Sequence, residues 1–495
     1  MHSDRRLVVC AALAGGILLL GAAPAGQREQ AITTLVLEGD SVTDVGLITS
    51  IANIAVNSSG QWLVEADTDH ANSDADQVLL RNGELYWRED DPVKVPDGAR
   101  LDSFDSITLN DSAHSGFNFF LSGTGGSYDD SGVYCDHFGP GSDPFEGTVA
   151  VVLESEEAPG LTPGTPFIGF FDVKINNLDH LSCVASVDDP NIPTAVDRAL
   201  YIFVSDPDNG GIVDFTLIAK EGDILPGQVD PIYDFETGPH ESAINDMDNV
   251  LYGADLDGPT ATDGVVYLYD HAAGMNVLLA QEGFPSPIPE RDWYVLSSPE
   301  LDLSNNGDYV FSGRLTGDTT TDSVIIVNGE KFMQEGDPPP GIAGDFVLTG
   351  FGTGPLRISD KGDVLWYGDW DDPDTDIDTG LFLNDTLLVQ EGVTEIDGAV
   401  VDTIRGVEDG YHLSSNGRFV IFEAIFVDGR EGAFLIDMGA DCPEDVNGDG
   451  VVDIDDLFEI LGHWGEGPGQ YDVNDDGTVD IDDIFAVLAA WGPCP

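Results

Sequence analysis

The sequence predicts a mainly β protein followed by a small helical module, and three observations carry that reading. A short apolar strand ending in Glu-Gly-Asp or a relative recurs along most of the chain, and a hairpin with a polar turn recurs in step with it. Two copies of one Asp-rich loop, each followed by the same apolar stretch, close the chain. The first two predict about four antiparallel strands per repeat, which is a propeller blade. Counting markers predicts seven blades over residues 34–437, a seven-bladed β-propeller closed by an N-terminal strand. The third predicts an α-helical module over 442–495.

The chain opens with Arg5 and Arg6 before an apolar run from Leu7 to Ala23, and Ala23-Pro24-Ala25 offers a small-residue cleavage site. That pattern predicts a signal peptide over 1–25 and a secreted protein, extracellular or associated with the cell surface. The run is short and broken by glycines, so cleavage is expected rather than anchoring, with no membrane span afterwards.

The strand marker then appears at Glu38-Gly39-Asp40, Glu89-Asp90-Asp91, Glu154-Ser155-Glu156, Glu221-Gly222-Asp223, Glu282-Gly283-Phe284, Glu335-Gly336-Asp337 and Glu391-Gly392-Val393. The hairpin is clearest at Leu303–Val310, Ile358–Leu365 and Leu413–Val420, with weaker copies at 54–63, 107–119, 173–184 and 244–251. Asn-Gly and Asp-x-Gly turns suit such reversals. A third strand, such as Val324–Val327 or Gly380–Leu383, precedes the next marker. The last repeat has its hairpin and third strand but no marker strand after them. Leu35–Glu38, at the other end of the chain, is the strand that would complete it and cover an exposed sheet edge. A linear or sandwich-type β array is the alternative.

The first C-terminal loop reads Asp445, Asn447, Asp449, Val451, Asp453 and Asp456 at its alternate and closing positions. The second reads Asp472, Asn474, Asp476, Thr478, Asp480 and Asp483. Ca²⁺ is a hard cation that takes oxygens from positions 1, 3, 5, 7, 9 and 12 of a twelve-residue loop, position 7 through its backbone carbonyl. Gly450 and Gly477 stand where the sharp turn falls. The spacing therefore predicts two bound Ca²⁺ ions. After the loops, Leu457, Phe458, Ile460, Leu461 and Trp464 recur as Ile484, Phe485, Val487, Leu488 and Trp491. They predict two helices burying apolar stripes against each other.

This tandem pattern, with Asp rather than Glu at the twelfth position, resembles the dockerin family over residues 442–495. The resemblance implies attachment to a cohesin-like or other extracellular protein, with partner choice at positions 10 and 11, here Ile454, Asp455, Ile481 and Asp482. Cys442 and Cys494 bracket the module and are expected to clasp its ends in an oxidising compartment. Whether Cys135 and Cys183 form a second bridge is left open by the sequence.

With 18 Lys and Arg against 92 Asp and Glu, the surface repels nucleic acid and anionic membranes. Apolar residues make up 41% of the chain and lie between the acids, so this is not a disordered tail. No zinc pair, nucleophile elbow or phosphate loop occurs in the repeat region. The acidic loop from Asp369 to Asp378 offers carboxylates to a further Ca²⁺ or Trp370 to a sugar, although a solvated loop is the simpler expectation. Two functional readings follow. In one, a non-catalytic propeller binds a ligand or protein partner, a glycan among the options, while the calcium module attaches it. In the other, the chain is a dockerin-bearing glycoside hydrolase with catalytic carboxylates on the propeller, since two carboxylates suffice for that chemistry.

Overall fold

The computed structural model describes residues 32–495 apart from 127–128, 193–196, 236–241, 297–298, 407–408, 440–441, 443, 447–450, 466, 468–470, 472, 475–477 and 494–495. Residues 1–25, expected from sequence to be a signal peptide, therefore lie outside the described residues. The chain separates into a unit spanning Gln30–Met438 and a C-terminal unit beginning at Gly439.

Seven antiparallel sheets build the larger unit as a seven-bladed β-propeller. Blade three shows the plan, with strands Phe167–Ile175, Leu181–Val187, Asp197–Ser205 and Ile212–Lys220 paired in sequence order from the axis outwards. In blades four to seven the innermost strand is split, as in blade five, where Trp293–Val295 and Leu301–Leu303 both pair with Tyr309–Leu315. The outermost strand of blade seven comes from the far end of the chain. Ile32–Leu37 pairs antiparallel with Glu431–Asp437, from Ile32 opposite Ile436 to Leu37 opposite Gly432. The expected closing strand is present.

Each marker ends an outermost strand, and its chemistry explains its recurrence. The middle residue has positive φ in all seven copies: Gly39, Asp90, Ser155, Gly222, Gly283, Gly336 and Gly392. Glycine is the least strained choice there. The third residue, where acidic, accepts the N–H three positions earlier, as Asp223 does from Lys220 at 3.1 Å and Asp337 from Gln334 at 3.0 Å. The Glu is buried in five copies, Glu154, Glu221, Glu282, Glu335 and Glu391, and half-buried in the other two, Glu38 and Glu89. Glu282 accepts the Leu296 N–H and Glu391 the Ile404 N–H, both at 2.8 Å and both in the following blade. Glu335 accepts two N–H groups of its own blade, from Asp322 and Ser323. Glu282 and Glu391 thereby tie neighbouring blades together, while Glu335 secures its own blade.

Seven clusters of buried apolar side chains fill the seven junctions between neighbouring blades. Val36 of the closing strand is buried in one of them with Ile51 and Ile421. Trp370 belongs to the junction of blades five and six and is only 2% exposed, so it is a core residue and presents nothing to a sugar. Cys135 and Cys183 lie in the junction of blades two and three as free thiols, which answers the open question of a second bridge.

In the C-terminal unit, helices Ile454–Gly462 and Ile481–Ala489 follow the two loops, and Val451–Val452 pairs with Gly492–Pro493. The expected burial of both apolar stripes is corrected here. Val452, Ile460, Val479 and Val487 form the core. Phe458, Leu461, Trp464, Phe485, Leu488 and Trp491 are all about half exposed or more. Two helices of nine residues each bury one row of side chains, and the loop valines fill the remaining space.

Candidate functional site

The innermost strands surround an axial cavity of about 160 Å³. One end of it is ringed by the hairpin turns, which begin at Asn57, Asn110, Asn176, Asn245, Ser304, Ser359 and Ser414. Each Asn amide reaches across to the next blade. Asn57, Asn110, Asn176 and Asn245 donate from Nδ2 to the carbonyls of Asn110, Asn176, Asn245 and Ser304, at 2.9–3.0 Å. Their Oδ1 atoms accept two N–H groups of their own turns, as Asn176 does from Leu178 and His180. The serines of blades five to seven cap only their own turns.

The following turn residue forms a second girdle. The N–H groups of Ser58, Asp111, Asn177, Asp246 and Asn305 donate to the side chains of Asp111, Asn177, Asp246, Asn305 and Asp360 at 2.8–2.9 Å. Asp360 donates its N–H to the Ser415 carbonyl, and Ser415 meets Ser58 through a 2.7 Å hydroxyl contact. Burial pushes the Asp360 carboxyl above its ordinary range, with Asp111 and Asp246 adding to the shift.

Buried charged side chains at and behind the cavity wall are engaged by protein partners. Lys174 pairs with Asp172 at 2.8 Å, and Asp172 accepts both the N–H and the hydroxyl of Ser242. Asp302 accepts the Ile358 N–H at 2.8 Å; burial raises its carboxyl, while the nearby Arg357 opposes the rise. Burial pushes Glu65 up to about 8 and Glu423 to about 9. Glu65 is 2% exposed and accepts from Asn53; Glu423 is 4% exposed and accepts from Arg405. Glycoside hydrolysis needs two carboxyl groups flanking a bound sugar. These two are enclosed and spent on protein donors.

Histidines clamp neighbouring blades. His114 Nδ1 lies 2.9 Å from Asp179, and His180 Nδ1 lies 2.9 Å from Asp248, one blade further on. The hydrogen bond to each carboxylate raises its imidazole. Burial alone would raise Asp179, but hydrogen bonds from His114 and His137 hold it well below the usual carboxylate range. His137 also places Nε2 at 2.8 Å from Ser205 Oγ and Nδ1 at 3.1 Å from Asp179, the order of a Ser-His-Asp relay. Both Ser205 and the His137 side chain are 6% exposed, so this constellation is closed to a substrate and serves packing.

In the C-terminal unit the closing acids of the two loops, Asp456 and Asp483, are fully buried. Asp456 accepts the Asp453 N–H and Asp483 the Asp480 N–H, both at 2.7 Å, and Asp483 also accepts the Asn474 N–H at 3.2 Å. Asp480 caps its helix through the Asp482 N–H at 2.9 Å. Asp445, Val451 and Thr478 are described, whereas Asn447, Asp449, Asp472 and Asp476 lie outside the described residues. Ile454 and Ile481 are 50% and 49% exposed, and Asp482 is exposed; the Asp455 side chain lies outside the described residues. Cys442 is disulfide-bonded, and Cys494 lies outside the described residues.

The class the fold defines is a seven-bladed β-propeller. The chain belongs to a family of unknown function (DUF7453), matched over residues 25–213 and 208–330. No curated protein matches it. Among solved structures it is similar to puromycin hydrolase, at 13% identity and a TM-score of 0.40, covering 78% of this chain and 52% of that one. It is also similar to Porphyromonas gingivalis dipeptidyl peptidase 4, at 11% and 0.39, covering 81% and 58%. A third is the oligogalacturonate lyase of Vibrio parahaemolyticus, at 13% and 0.41, covering 82% and 98%. The chain thus spans little more than half the length of the first two. Likeness at this level carries no functional argument.

Proposed function

We propose that this is a secreted calcium-binding protein whose dockerin-like C-terminal module attaches it to an extracellular or surface partner, with the propeller serving as a binding platform. The observation that supports this most is the matched exposure on the two short helices. Ile454, Phe458 and Leu461 on the first are repeated as Ile481, Phe485 and Leu488 on the second, all between 49% and 62% exposed. Large apolar side chains left outside a small core in equivalent positions suit a protein partner. The near-identity of the helices suits either one meeting the same partner surface.

Calcium fits the loops. The donor set is all oxygen, and two carboxylates, Asp456 and Asp483, are fully buried. A buried carboxylate is costly without a cation or donors around it. Asp445, Asn447, Asp449, Val451, Asp453 and Asp456 would hold one ion, and Asp472, Asn474, Asp476, Thr478, Asp480 and Asp483 the other. When bound, the ions would neutralise clustered carboxylates that otherwise repel, so the module's folding should be linked to metal. The Cys442–Cys494 clasp would shorten the open chain, contributing about 3–4 kcal/mol on the chain-entropy model.

The test uses the full chain. Chelation should increase hydrogen exchange in residues 451–493 and leave the propeller strands unchanged, and Asp456→Asn with Asp483→Asn should do the same without chelator. Binding to cell-surface material from the native source should be lost on chelation and in a Phe458→Ser, Phe485→Ser variant. Exchange that ignores chelator refutes the calcium reading, and retention that ignores both treatments refutes attachment through this module.

A further inference from the structure

Near the start of every innermost strand the ladder skips one residue. The skipped residues are Thr49, Asp102, Ile168, Tyr233, Tyr294, Thr349 and Asp402, one per blade. Such a bulge re-aims a side chain out of the sheet. All seven are exposed, and they lie at the strand ends opposite the hairpin girdle. Four are Thr or Asp. The other three are consecutive, Ile168, Tyr233 and Tyr294 in blades three to five, at 43%, 52% and 60% exposure.

The loops entering blades four and five add to this arc. Ile224, Val229 and Phe284 are 62%, 83% and 51% exposed. Phe284 accepts the Trp293 N–H at 2.9 Å, which seats it directly beside Tyr294. Asp223 holds the equivalent place in blade four, accepting the Ile232 N–H at 2.9 Å, and the exposed Ile224 follows it in the chain. Isolated exposed apolar side chains are ordinary, but a set of this size concentrated on one arc marks an interaction surface.

The surrounding charge selects the partner. Asp230, Glu290 and Asp292 make no ion pair among the described residues, and the chain as a whole carries a net charge of −74. The nearby cations are engaged: Lys220 pairs with Asp223, Arg198 with Asp234, and Arg291 donates to the carbonyls of Thr316, Asp318 and Thr321. An aromatic surface set among unpaired carboxylates is complementary to Arg and Lys, which stack on ring faces and pair at the edges. We propose that the arc of blades three to five docks a basic polypeptide segment, with Arg or Lys side chains over Tyr233 and Tyr294. This rests on the reading of the propeller as a binding platform and is independent of attachment through the calcium module.

The test measures binding of a short oligo-arginine peptide to the full chain by calorimetry at physiological salt. Non-specific attraction to so acidic a protein is separated by variants. Tyr233→Ser with Tyr294→Ser should weaken binding about tenfold, as expected for losing aromatic anchors. Thr49→Ala with Thr349→Ala, on the polar arc, should leave it unchanged. Equal affinity of the tyrosine variant and the parent overturns the proposal. So does tyrosine-dependent binding of a neutral soluble polysaccharide with no tyrosine effect on the peptide, which would make this a glycan surface. The measurement is repeated with chelator; because the expected loss does not depend on calcium, failure here leaves the attachment test standing.

Discussion

Replacing Asn176 by Ala should be among the most damaging single changes in the propeller. Asn176 is 4% exposed and uses every hydrogen-bonding valence of its side chain. Nδ2 donates to the Asn245 carbonyl and to Asp248 Oδ1, both at 2.9 Å, and Oδ1 accepts the Leu178 and His180 N–H groups, both at 3.0 Å. Truncation leaves a buried carbonyl and two turn N–H groups without these partners. Each costs about 1–3 kcal/mol when buried, and less where water can reach. Taking the low end for the turn groups gives a loss of about 3–5 kcal/mol, a large part of a total stability of about 5–15.

Asn176→Ser makes the argument sharper. Serine can still accept from the turn, as Ser359 does from Lys361 and Asp363, but cannot reach the next blade. Its cost should be about 1–2 kcal/mol, the value of the lost inter-blade bonds. Ser304→Ala, which removes a single acceptor of the Asp308 N–H, should cost about 1 kcal/mol. Urea unfolding followed by tryptophan fluorescence and by circular dichroism gives all three, provided the transitions coincide and the slopes agree. If Asn176→Ala costs less than Ser304→Ala, or no more than Asn176→Ser, the cross-blade amide ladder is not what holds these junctions.

Two further predictions concern the same unit. Glu65, raised by burial to about 8, is stabilising relative to the unfolded chain below its unfolded pKa of about 4.3, and that contribution is lost as pH rises through 8. Glu65→Gln should therefore flatten the fall in unfolding free energy between pH 5 and 8, measured by urea titration, by several kcal/mol, and an unchanged pH profile would refute the buried acid. Deleting residues 33–40 removes the strand that pairs with Glu431–Asp437, exposing an edge and opening the cluster around Val36. The product should aggregate or lose cooperative unfolding; a deletion as soluble and stable as the parent would show that closure is dispensable.

The blade count was legible because the marker is a local device. Its middle residue must tolerate positive φ and its third residue reaches only three positions back, so the constraint is written within a few consecutive residues. The degenerate copies obey the same geometry, with Asp90 and Ser155 at φ 65° and 66°. The missing strand after Ile436 was legible for the same reason. Trp370 was misread because a polar neighbourhood in sequence says nothing about what packs above it; the ring is buried in the junction of blades five and six, edge-on to Phe382. The helix stripes were misread because periodicity gives a face but not how much of it a small module can cover.

What sequence could not show is chemistry made between blades. The amide ladder joins residues 53 to 69 positions apart, and the His–Asp clamps join residues 65 to 68 apart. Neither has a local signature, though both rest on turn positions that do repeat. Scaffold positions repeat because each blade must solve the same backbone problem: a positive φ, a buried N–H, a filled junction. The bulge position also repeats in geometry, yet its residue runs from Thr and Asp to Ile and Tyr. A position fixed by the fold and released from its packing is one that a partner can shape. In this protein that freedom falls on the arc of Ile168, Tyr233 and Tyr294, and the axial cavity, whose Asp111, Asp246 and Asp360 are held by donors of neighbouring turns, is the poorer place to look for a ligand.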